Sequence, residues 1–265
     1  MADLNPFSAW RRLLALPNES RTKTVVVAFL VSACCALLVS GATVVLRPIQ
    51  AANRAAEEQA RLEALIAGVP GMSELLSQSG GTLSTVVIDL SQGRAATEVT
   101  PATLDSALAD TANWTVLDAG DDLAGLVQRP DYAQVYLLRT GEEISLLLLP
   151  FSGQGYNGQI DGILALKGDM HTIAGMTITS QSETPGLGGR IEEPAWQASF
   201  DGVKTVDDAG EVRFAVAKGP ASTEYEVDGI TGATRTSSAM TRIIRFWLGD
   251  LGYGPLIEAI RRGEF

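Results

Sequence analysis

The sequence is poor in the side chains that bind metals and form disulfides. Histidine occurs once, as His171, and the two cysteines, Cys34 and Cys35, are adjacent. This inventory excludes multi-histidine metal sites and cysteine-rich clusters, so we predict no metal site. Adjacent cysteines rarely bridge one another, and no disulfide framework is expected. Because no partner for His171 is evident, we interpret it as a structural residue.

Basic residues are also scarce. The chain has 20 Lys and Arg against 31 Asp and Glu, which gives a net charge of −11 at pH 7. This balance argues against nucleic-acid binding, because neutralising phosphates requires Lys and Arg. Hydrophobic residues make up 46% of the chain and charged residues 19%, which is too apolar for a disordered protein. The 265 residues are sufficient for one full domain and a smaller appendage.

One long segment near the N-terminus lacks charge altogether. Residues 24–46 read TVVVAFLVSACCALLVSGATVVL, and a helix of this length spans a bilayer core of about 30 Å. A cleavable signal sequence has a shorter apolar core of about 7–15 residues, although residues 40–42 resemble a cleavage site. Residues 31–34 (VSAC) also resemble the lipid-attachment box of bacterial lipoproteins. The length favours an uncleaved transmembrane helix over both alternatives.

The charges on either side of this helix predict its orientation. Arg11, Arg12, Arg21 and Lys23 precede it with only two acidic residues, which leaves 16 basic and 29 acidic residues after it. By the positive-inside rule, residues 1–23 lie in the cytoplasm and the rest of the chain lies outside it. We therefore expect an acidic domain exported behind a single anchor.

The chain after the helix divides into a stalk and a domain. Residues 47–83 contain a helix breaker, Pro48, and then strong helix formers, so they are predicted to form a juxtamembrane helix or stalk. Residues 84–265 are predicted to form the main domain, in an α+β fold with a mixed sheet packed by helices. Strands are predicted at residues 85–90, 134–139, 144–149, 162–167, 172–180 and 212–218, a short helix at 102–109, a helix or irregular segment at 191–200 and an amphipathic helix at 237–251.

A glycine-rich loop follows the strand predicted at residues 172–180. Residues 182–189 (SETPGLGG) contain three glycines and one proline. Free N–H groups in such a loop can bind carbonyl or phosphate oxygens, and Glu183 and Thr184 add polar side chains. A plain surface turn has the same composition, so the composition alone leaves both interpretations open.

A second segment leads directly into the amphipathic helix. Residues 228–237 (DGITGATRTS) combine small residues with hydroxyl side chains at positions 231, 234, 236 and 237. The free N–H groups and the dipole of a helix N-terminus favour a phosphate, and Arg235 adds a cation. The alternative is ordinary helix capping, because Ser and Thr are preferred N-cap residues.

Together, and in this order behind one anchor, the two segments resemble those of a known family, the NqrC subunits of the Na+-translocating NADH:quinone reductases. Residues 228–234 match the family's Asp-Gly-x-(Ser/Thr)-Gly-Ala-Thr pattern, and residues 183–189 match its ETPGLGG signature. Residues 155–158 (GYNG) and 47–50 (RPIQ) resemble further family segments more loosely. The chain departs from the usual pattern at Thr231, where Ser is common, and in the arginine that follows the acceptor threonine.

The resemblance implies a flavoprotein in which Thr234 carries FMN covalently through a phosphoester, with no catalytic acid or base in this chain. It also suggests that Glu183 and Lys218 set the flavin potential through charge near the ring. The implied cofactor-binding residues are Thr234, Glu183, Thr184, Leu187, Gly188, Lys218, Thr231, Gly232 and Ala233.

The resemblance further implies an electron-carrying subunit that relays single electrons from NADH toward ubiquinone, coupled to Na+ export. The expected partners are the membrane, other subunits of the complex (the NqrA, NqrB, NqrD, NqrE and NqrF types) and an exported flavin transferase, but not nucleic acid. The expected location is the bacterial inner membrane, with the N-terminus cytoplasmic and the main domain periplasmic. Two alternatives remain, which are the related G subunit of the Rnf-type electron-transport complex and a non-redox anchored binding module.

Overall fold

The computed structural model describes residues 82–265 and, before them, residues 15, 17, 20, 21, 23–41, 43 and 46. The chain divides into two compact units, Met1–Ala64 and Leu65–Phe265. The stalk predicted at residues 47–83 lies outside the described residues except for its last two positions, which belong to the first strand.

The N-terminal unit contains the apolar helix α1, Lys23–Gly41. Its 19 residues are long and apolar enough to cross a membrane, and none of this stretch is buried inside the structure. An apolar helix with no protein cover needs a nonaqueous surrounding, which a bilayer provides. The helix is therefore compatible with a single-pass anchor.

The second unit has ten strands and four helices in the region that the structure describes. The strands are β1 (Thr82–Asp89), β2 (Arg94–Ala95), β3 (Trp114–Val116), β4 (Gln128–Pro130), β5 (Tyr132–Thr140), β6 (Glu143–Gln154), β7 (Gln159–Lys167), β8 (Ile173–Gln181), β9 (Ala215–Val216) and β10 (Glu226–Val227). The helices are α2 (Leu104–Leu108), α3 (Pro194–Ala198), α4 (Thr234–Leu248) and α5 (Gly254–Arg261).

The main sheet has the strand order β2-β1-β5-β6-β7-β8, and each neighbouring pair in it is antiparallel. The α+β class is confirmed, but the mixed pairing predicted for the sheet is corrected. Among the described residues, parallel pairing is confined to the separate two-residue strands β9 and β10. The reason is connection length, because the short turns after β5, β6 and β7 return the chain beside itself and so join antiparallel strands.

Helix α4 packs against β6 through its apolar face. Ile243 is fully buried and lies so close to Gly153 of β6 that a Cβ atom there would overlap the Ile243 side chain. The indole of Trp247 donates a hydrogen bond to the Ser152 carbonyl, at 2.7 Å. These contacts hold α4 in place against the sheet.

The residues after α4 fasten its other end. The hydroxyl of Tyr253 donates to the carbonyl of Pro150 in β6, at 2.6 Å, and burial raises the pKa of this hydroxyl. The ring of Tyr253 also lies 5.1 Å from that of Trp247, measured between centroids. The C-terminal half of α4 and the residues after it are thus held against the strand that leads to the turn at residues 155–158.

The strands predicted at residues 134–139 and 144–149 lie in the hairpin of β5 with β6. Those predicted at 162–167 and 172–180 lie in the hairpin of β7 with β8, except for residue 172. The predicted strand at 212–218 is shorter than expected and keeps only the two residues of β9. Helix α4 begins at Thr234, three residues before the predicted start. Helix α5 and the ladder of β3 with β4 were not predicted.

Candidate functional site

A cleft of about 290 Å³ lies where three segments of the domain meet. These segments are the turn after β6, the glycine-rich loop after β8 and the start of α4. The lining residues are Tyr156, Glu183, Thr184, Leu187, Gly188, Gly232, Ala233, Thr234, Arg235 and Thr236. The cleft brings together seven of the nine residues predicted for the site, and it adds Tyr156, Arg235 and Thr236.

Glu183 ties the three segments together. Its side chain is buried, with 4% of the residue exposed. One carboxylate oxygen accepts hydrogen bonds from the backbone N–H groups of Tyr156 (2.7 Å) and Asn157 (2.9 Å). The other oxygen accepts from the Thr236 hydroxyl in the first turn of α4. Because protein donors use both oxygens, the structure gives Glu183 a positioning role, and its contact with a cofactor stays a prediction.

Two glycines leave the space that this carboxylate occupies. A Cβ atom at Gly188 would lie 2.5 Å from both a Glu183 oxygen and the Thr236 hydroxyl oxygen. A Cβ atom at Gly155 would overlap the other Glu183 oxygen. Gly188 in the loop after β8 and Gly155 in the turn after β6 thus let the backbone approach a buried carboxylate, which the sequence alone does not reveal.

The segment before α4 is held by close backbone contacts. The Asp228 carboxylate accepts from the Ala221 N–H at 2.7 Å and closes the chain reversal before it. Gly229 donates its N–H to the Gly219 carbonyl at 2.8 Å, and a Cβ atom at Gly229 would overlap the Ala217 carbonyl. Gly232 has φ +80°, a left-handed conformation that glycine adopts without steric penalty. These constraints determine where the chain enters α4.

The start of α4 carries no side-chain cap. Thr234 is the first helical residue, and the preceding N-cap residue is Ala233. The Thr236 hydroxyl donates to Glu183, while the Ser237 hydroxyl accepts from the Ile230 N–H at 3.3 Å. The capping interpretation of these hydroxyls is therefore wrong, because none of them bonds to the free N–H groups of the helix.

The Thr234 side chain is exposed to the cleft. Within residues 82–265 its hydroxyl makes no hydrogen bond. An exposed hydroxyl beside the unsatisfied N–H groups of a helix N-terminus suits an esterified phosphate, since the N–H groups and the helix dipole favour the negative charge.

Lys218 and Thr231 are exposed and do not line the cleft. The segment that contains Lys218 lies beside the Asp228–Gly229 turn, as the bond from the Gly229 N–H to the Gly219 carbonyl indicates. His171, in the turn between β7 and β8, is also absent from the lining; its carbonyl accepts the Thr205 N–H at 2.8 Å.

Tyr156 and Arg235 form an exposed part of the cleft wall. The Arg235 guanidinium carbon lies 4.7 Å from the centroid of the Tyr156 ring, which is a cation–π contact. Tyr156 was not predicted as a site residue, and Arg235 was considered only as a cation that could pair with a phosphate. The sequence does contain one indication, because Tyr156 lies between Gly155 and Gly158. An aromatic ring in such a short glycine-flanked segment is not expected to pack into the core.

Comparison with known proteins gives consistent results. Residues 155–249 match the FMN-binding domain family. The chain is 36% identical over 257 residues to the C subunit of the Na(+)-translocating NADH-quinone reductase of Pseudomonas aeruginosa. The aligned region covers 93% of this chain and 98% of that protein. It is 34% identical over 253 residues to the corresponding protein of Vibrio anguillarum, covering 94% of this chain and 99% of that protein.

The solved structures agree in fold. The crystal structure of Shewanella oneidensis NqrC is similar with a TM-score of 0.64 and 23% identity, covering 72% of this chain and 88% of that one. The corresponding protein from Parabacteroides distasonis is similar with a TM-score of 0.52 and 22% identity, covering 80% of this chain and 96% of that one. At these identities the likeness concerns the fold alone.

Proposed function

The chain belongs to the NqrC family, the C subunits of the Na+-translocating NADH-quinone reductases, and on that premise we propose that Thr234 carries FMN covalently through a phosphoester. The chain is one part of a multi-subunit enzyme and contains an FMN-binding domain. This membership argues against the Rnf-type protein and the non-redox binding module. The observation that carries the proposal is the uncapped start of α4, where an exposed hydroxyl without a hydrogen bond faces a cleft.

The residues of the cleft suit this cofactor. The phosphate would be held at Thr234 by the free N–H groups of the first turn of α4, and Gly232 and Ala233 would keep the approach open. Thr184, Leu187 and Gly188 supply a wall with both apolar and hydrogen-bonding groups for the flavin ring. FMN supplies reversible one-electron transfer when bound. The chain's own residues bind and orient the group, and no acid or base is required of them.

We also propose where the domain is located and how it is anchored. Helix α1 would be the single anchor in the bacterial inner membrane, with the N-terminus cytoplasmic and the main domain periplasmic, because basic residues precede the helix. A covalent tether keeps the cofactor from being lost outside the cytoplasm. Its attachment there would need an exported flavin transferase.

Within the complex, we assign the chain a relay of single electrons on the path from NADH toward ubiquinone, coupled to Na+ export. We place the NADH and quinone sites on other subunits, of the NqrA, NqrB, NqrD, NqrE and NqrF types, since the chain is one part of a multi-subunit enzyme.

In-gel fluorescence tests the attachment. The full chain is produced with an exported flavin transferase, beside Thr234→Val and a matched control, Thr231→Val, which removes an exposed hydroxyl three residues away. We expect a fluorescent band on a denaturing gel for the parent and for Thr231→Val, and none for Thr234→Val. A dark parent, in cells that label a known flavoprotein, would contradict the proposal. A fluorescent Thr234→Val band would refute the attachment residue.

A further inference from the structure

We infer that Arg235, held by the ring of Tyr156, binds the phosphate group of the flavin tether. The inference rests on the proposed function, because it concerns the same cleft and the same cofactor. It assigns a role to two residues that the flavin-binding motifs do not include, and it identifies the source of the positive charge at the attachment point.

Arg235 lies beside the point where the phosphate would be attached. Arg235 directly follows Thr234 and is the second residue of α4, and both residues line the cleft. The guanidinium carbon lies 4.7 Å from the centroid of the Tyr156 ring. A guanidinium held over an aromatic ring by a cation–π contact has fewer accessible positions than a free arginine side chain, which keeps its charge at the cleft wall.

The charge of Arg235 is not neutralised by an ion pair within residues 82–265. In residues 82–265, the ion pairs use other lysines and arginines, and Arg235 takes part in none of them. It also makes no hydrogen bond in the described part of the chain, although the protein has 31 acidic residues against 20 basic ones. A cation that has no carboxylate partner in an acidic protein retains its full capacity to bind an anionic ligand.

The guanidinium of Arg235 is complementary in charge and shape to a phosphodiester on Thr234. A phosphodiester on Thr234 would keep one negative charge, and the guanidinium of the next residue carries donors in a fork that matches two phosphate oxygens. The unsatisfied N–H groups at the start of α4 favour the same charge. Lys218, by contrast, is exposed and outside the cleft lining. Arg235 is therefore the cation best placed for the tether.

The test compares the full chain with five variants in cells that contain the flavin transferase. Arg235→Gln removes the charge, and Arg235→Lys keeps the charge but loses the planar fork. Tyr156→Ala removes the ring, whereas Tyr156→Phe keeps its face. Arg242→Gln is the matched control, because Arg242 is an exposed arginine two turns further along α4 and outside the cleft lining. The measurements are the initial rate of flavin attachment by in-gel fluorescence and the ³¹P NMR resonance of each purified, flavinylated protein.

We expect attachment to Arg235→Gln to be about ten-fold slower or more, which corresponds to the loss of a charge-assisted hydrogen bond. Its phosphorus resonance should also be displaced from that of the parent. Arg235→Lys and Tyr156→Ala should be intermediate in both measurements. Tyr156→Phe and Arg242→Gln should stay within about two-fold of the parental rate, with an unchanged resonance, because the ring face and the cleft charge are retained.

Parental attachment and an unchanged resonance in Arg235→Gln would overturn the inference. Slow attachment with an unchanged resonance would also overturn it, because Arg235 would then contact the transferase and not the phosphate. If Arg235→Gln does not fold, as measured by circular dichroism, the resonance of Arg235→Lys decides the same question. Failure of the proposed function can be told apart from failure of this inference. If the proposed function fails, the parent stays unlabelled or Thr234→Val is labelled.

Discussion

At the scale of single residues, the site depends on contacts between positions that are far apart in the sequence. Glu183 bonds to backbone N–H groups about 26 residues before it and to a hydroxyl 53 residues after it. The ETPGLGG signature predicts that Glu183 belongs to a site. It does not identify the partners, because no local spacing links the loop after β8 to the first turn of α4.

This arrangement predicts the effect of removing the carboxylate. Glu183→Ala leaves three donors without their acceptor, and we expect it to lower the free energy of unfolding by about 2 kcal/mol. The matched control is Glu192→Ala, an exposed glutamate close by in the chain, which should change stability by less than about 0.5 kcal/mol. Urea unfolding measures both. Equal stability of the two variants would contradict the positioning role of Glu183.

Gly229 gives a second prediction at this scale. A Cβ atom there would overlap the Ala217 carbonyl, so Gly229→Ala must displace the backbone that leads to Thr234. We expect a loss of about 1–3 kcal/mol in unfolding free energy and reduced flavin attachment. Gly219→Ala is the control, because a Cβ atom at Gly219 meets nothing within 4 Å. If both variants unfold at the same urea concentration as the parent, the contact between Gly229 and the Ala217 carbonyl does not limit the residue at position 229, and the prediction is wrong.

At the scale of elements, the hairpins were predictable because their hydrophobic runs are long and are separated by clear turn residues. The start of α4 was not, since the sequence suggested that a Ser or Thr hydroxyl caps the helix, whereas the N-cap is Ala233. Helix α5 was missed although Pro255 at its first turn is a typical helix start. The strands β3 and β4 have three residues each, too few for an alternating pattern to be recognised.

The hydrogen bonds of Asp169 predict that the turn between β7 and β8 contributes to stability in a pH-dependent way. The Asp169 carboxylate accepts from the His171 and Thr172 N–H groups (both 2.9 Å) and from the Thr172 hydroxyl (2.6 Å). Partial burial would raise the pKa of Asp169, but these hydrogen bonds outweigh it, and the pKa is lower than usual. A lowered folded-state pKa contributes stability that is present above the unfolded pKa of about 3.9 and is lost as the pH falls through the folded value.

We therefore expect Asp169→Ala to lower the free energy of unfolding by about 1 kcal/mol at pH 7, a modest value because the group is largely exposed. The difference from the parent should shrink as the pH falls below about 4. Asp208→Ala, at an exposed aspartate, is the control. Urea unfolding from pH 7 to pH 3 measures the profile. A difference that stays constant over this range would refute the role of the charged carboxylate.

At the scale of the whole molecule, composition and charge predicted an anchored acidic domain, and the structure adds the antiparallel sheet that positions the cleft. The fold class and the apolar helix followed from sequence patterns and from the family resemblance, and seven of the nine residues predicted for the site line the cleft. The Tyr156–Arg235 contact did not, because it joins the turn after β6 to α4 and depends on how the helix packs against the sheet.

The orientation of the chain in the membrane can be measured with introduced cysteines. In a Cys34→Ala, Cys35→Ala background, Glu142→Cys places a thiol in the exposed turn between β5 and β6, and Ser8→Cys places one before α1. A membrane-impermeant maleimide should label Glu142→Cys in intact spheroplasts and Ser8→Cys only after lysis, because the basic flank stays inside. The reverse pattern would contradict the predicted topology.

The central claim, that Thr234 holds the flavin, is tested most directly by mass spectrometry of a single peptide. Trypsin cleaves after Lys218 and Arg235, so residues 219–235 (GPASTEYEVDGITGATR) form one peptide with Thr223, Thr231 and Thr234. In protein purified from cells with the transferase, we predict this peptide to be heavier by one FMN less one water, with fragment ions that assign the added mass to Thr234. An unmodified peptide, or an added mass on Thr231 or Thr223, would contradict the claim.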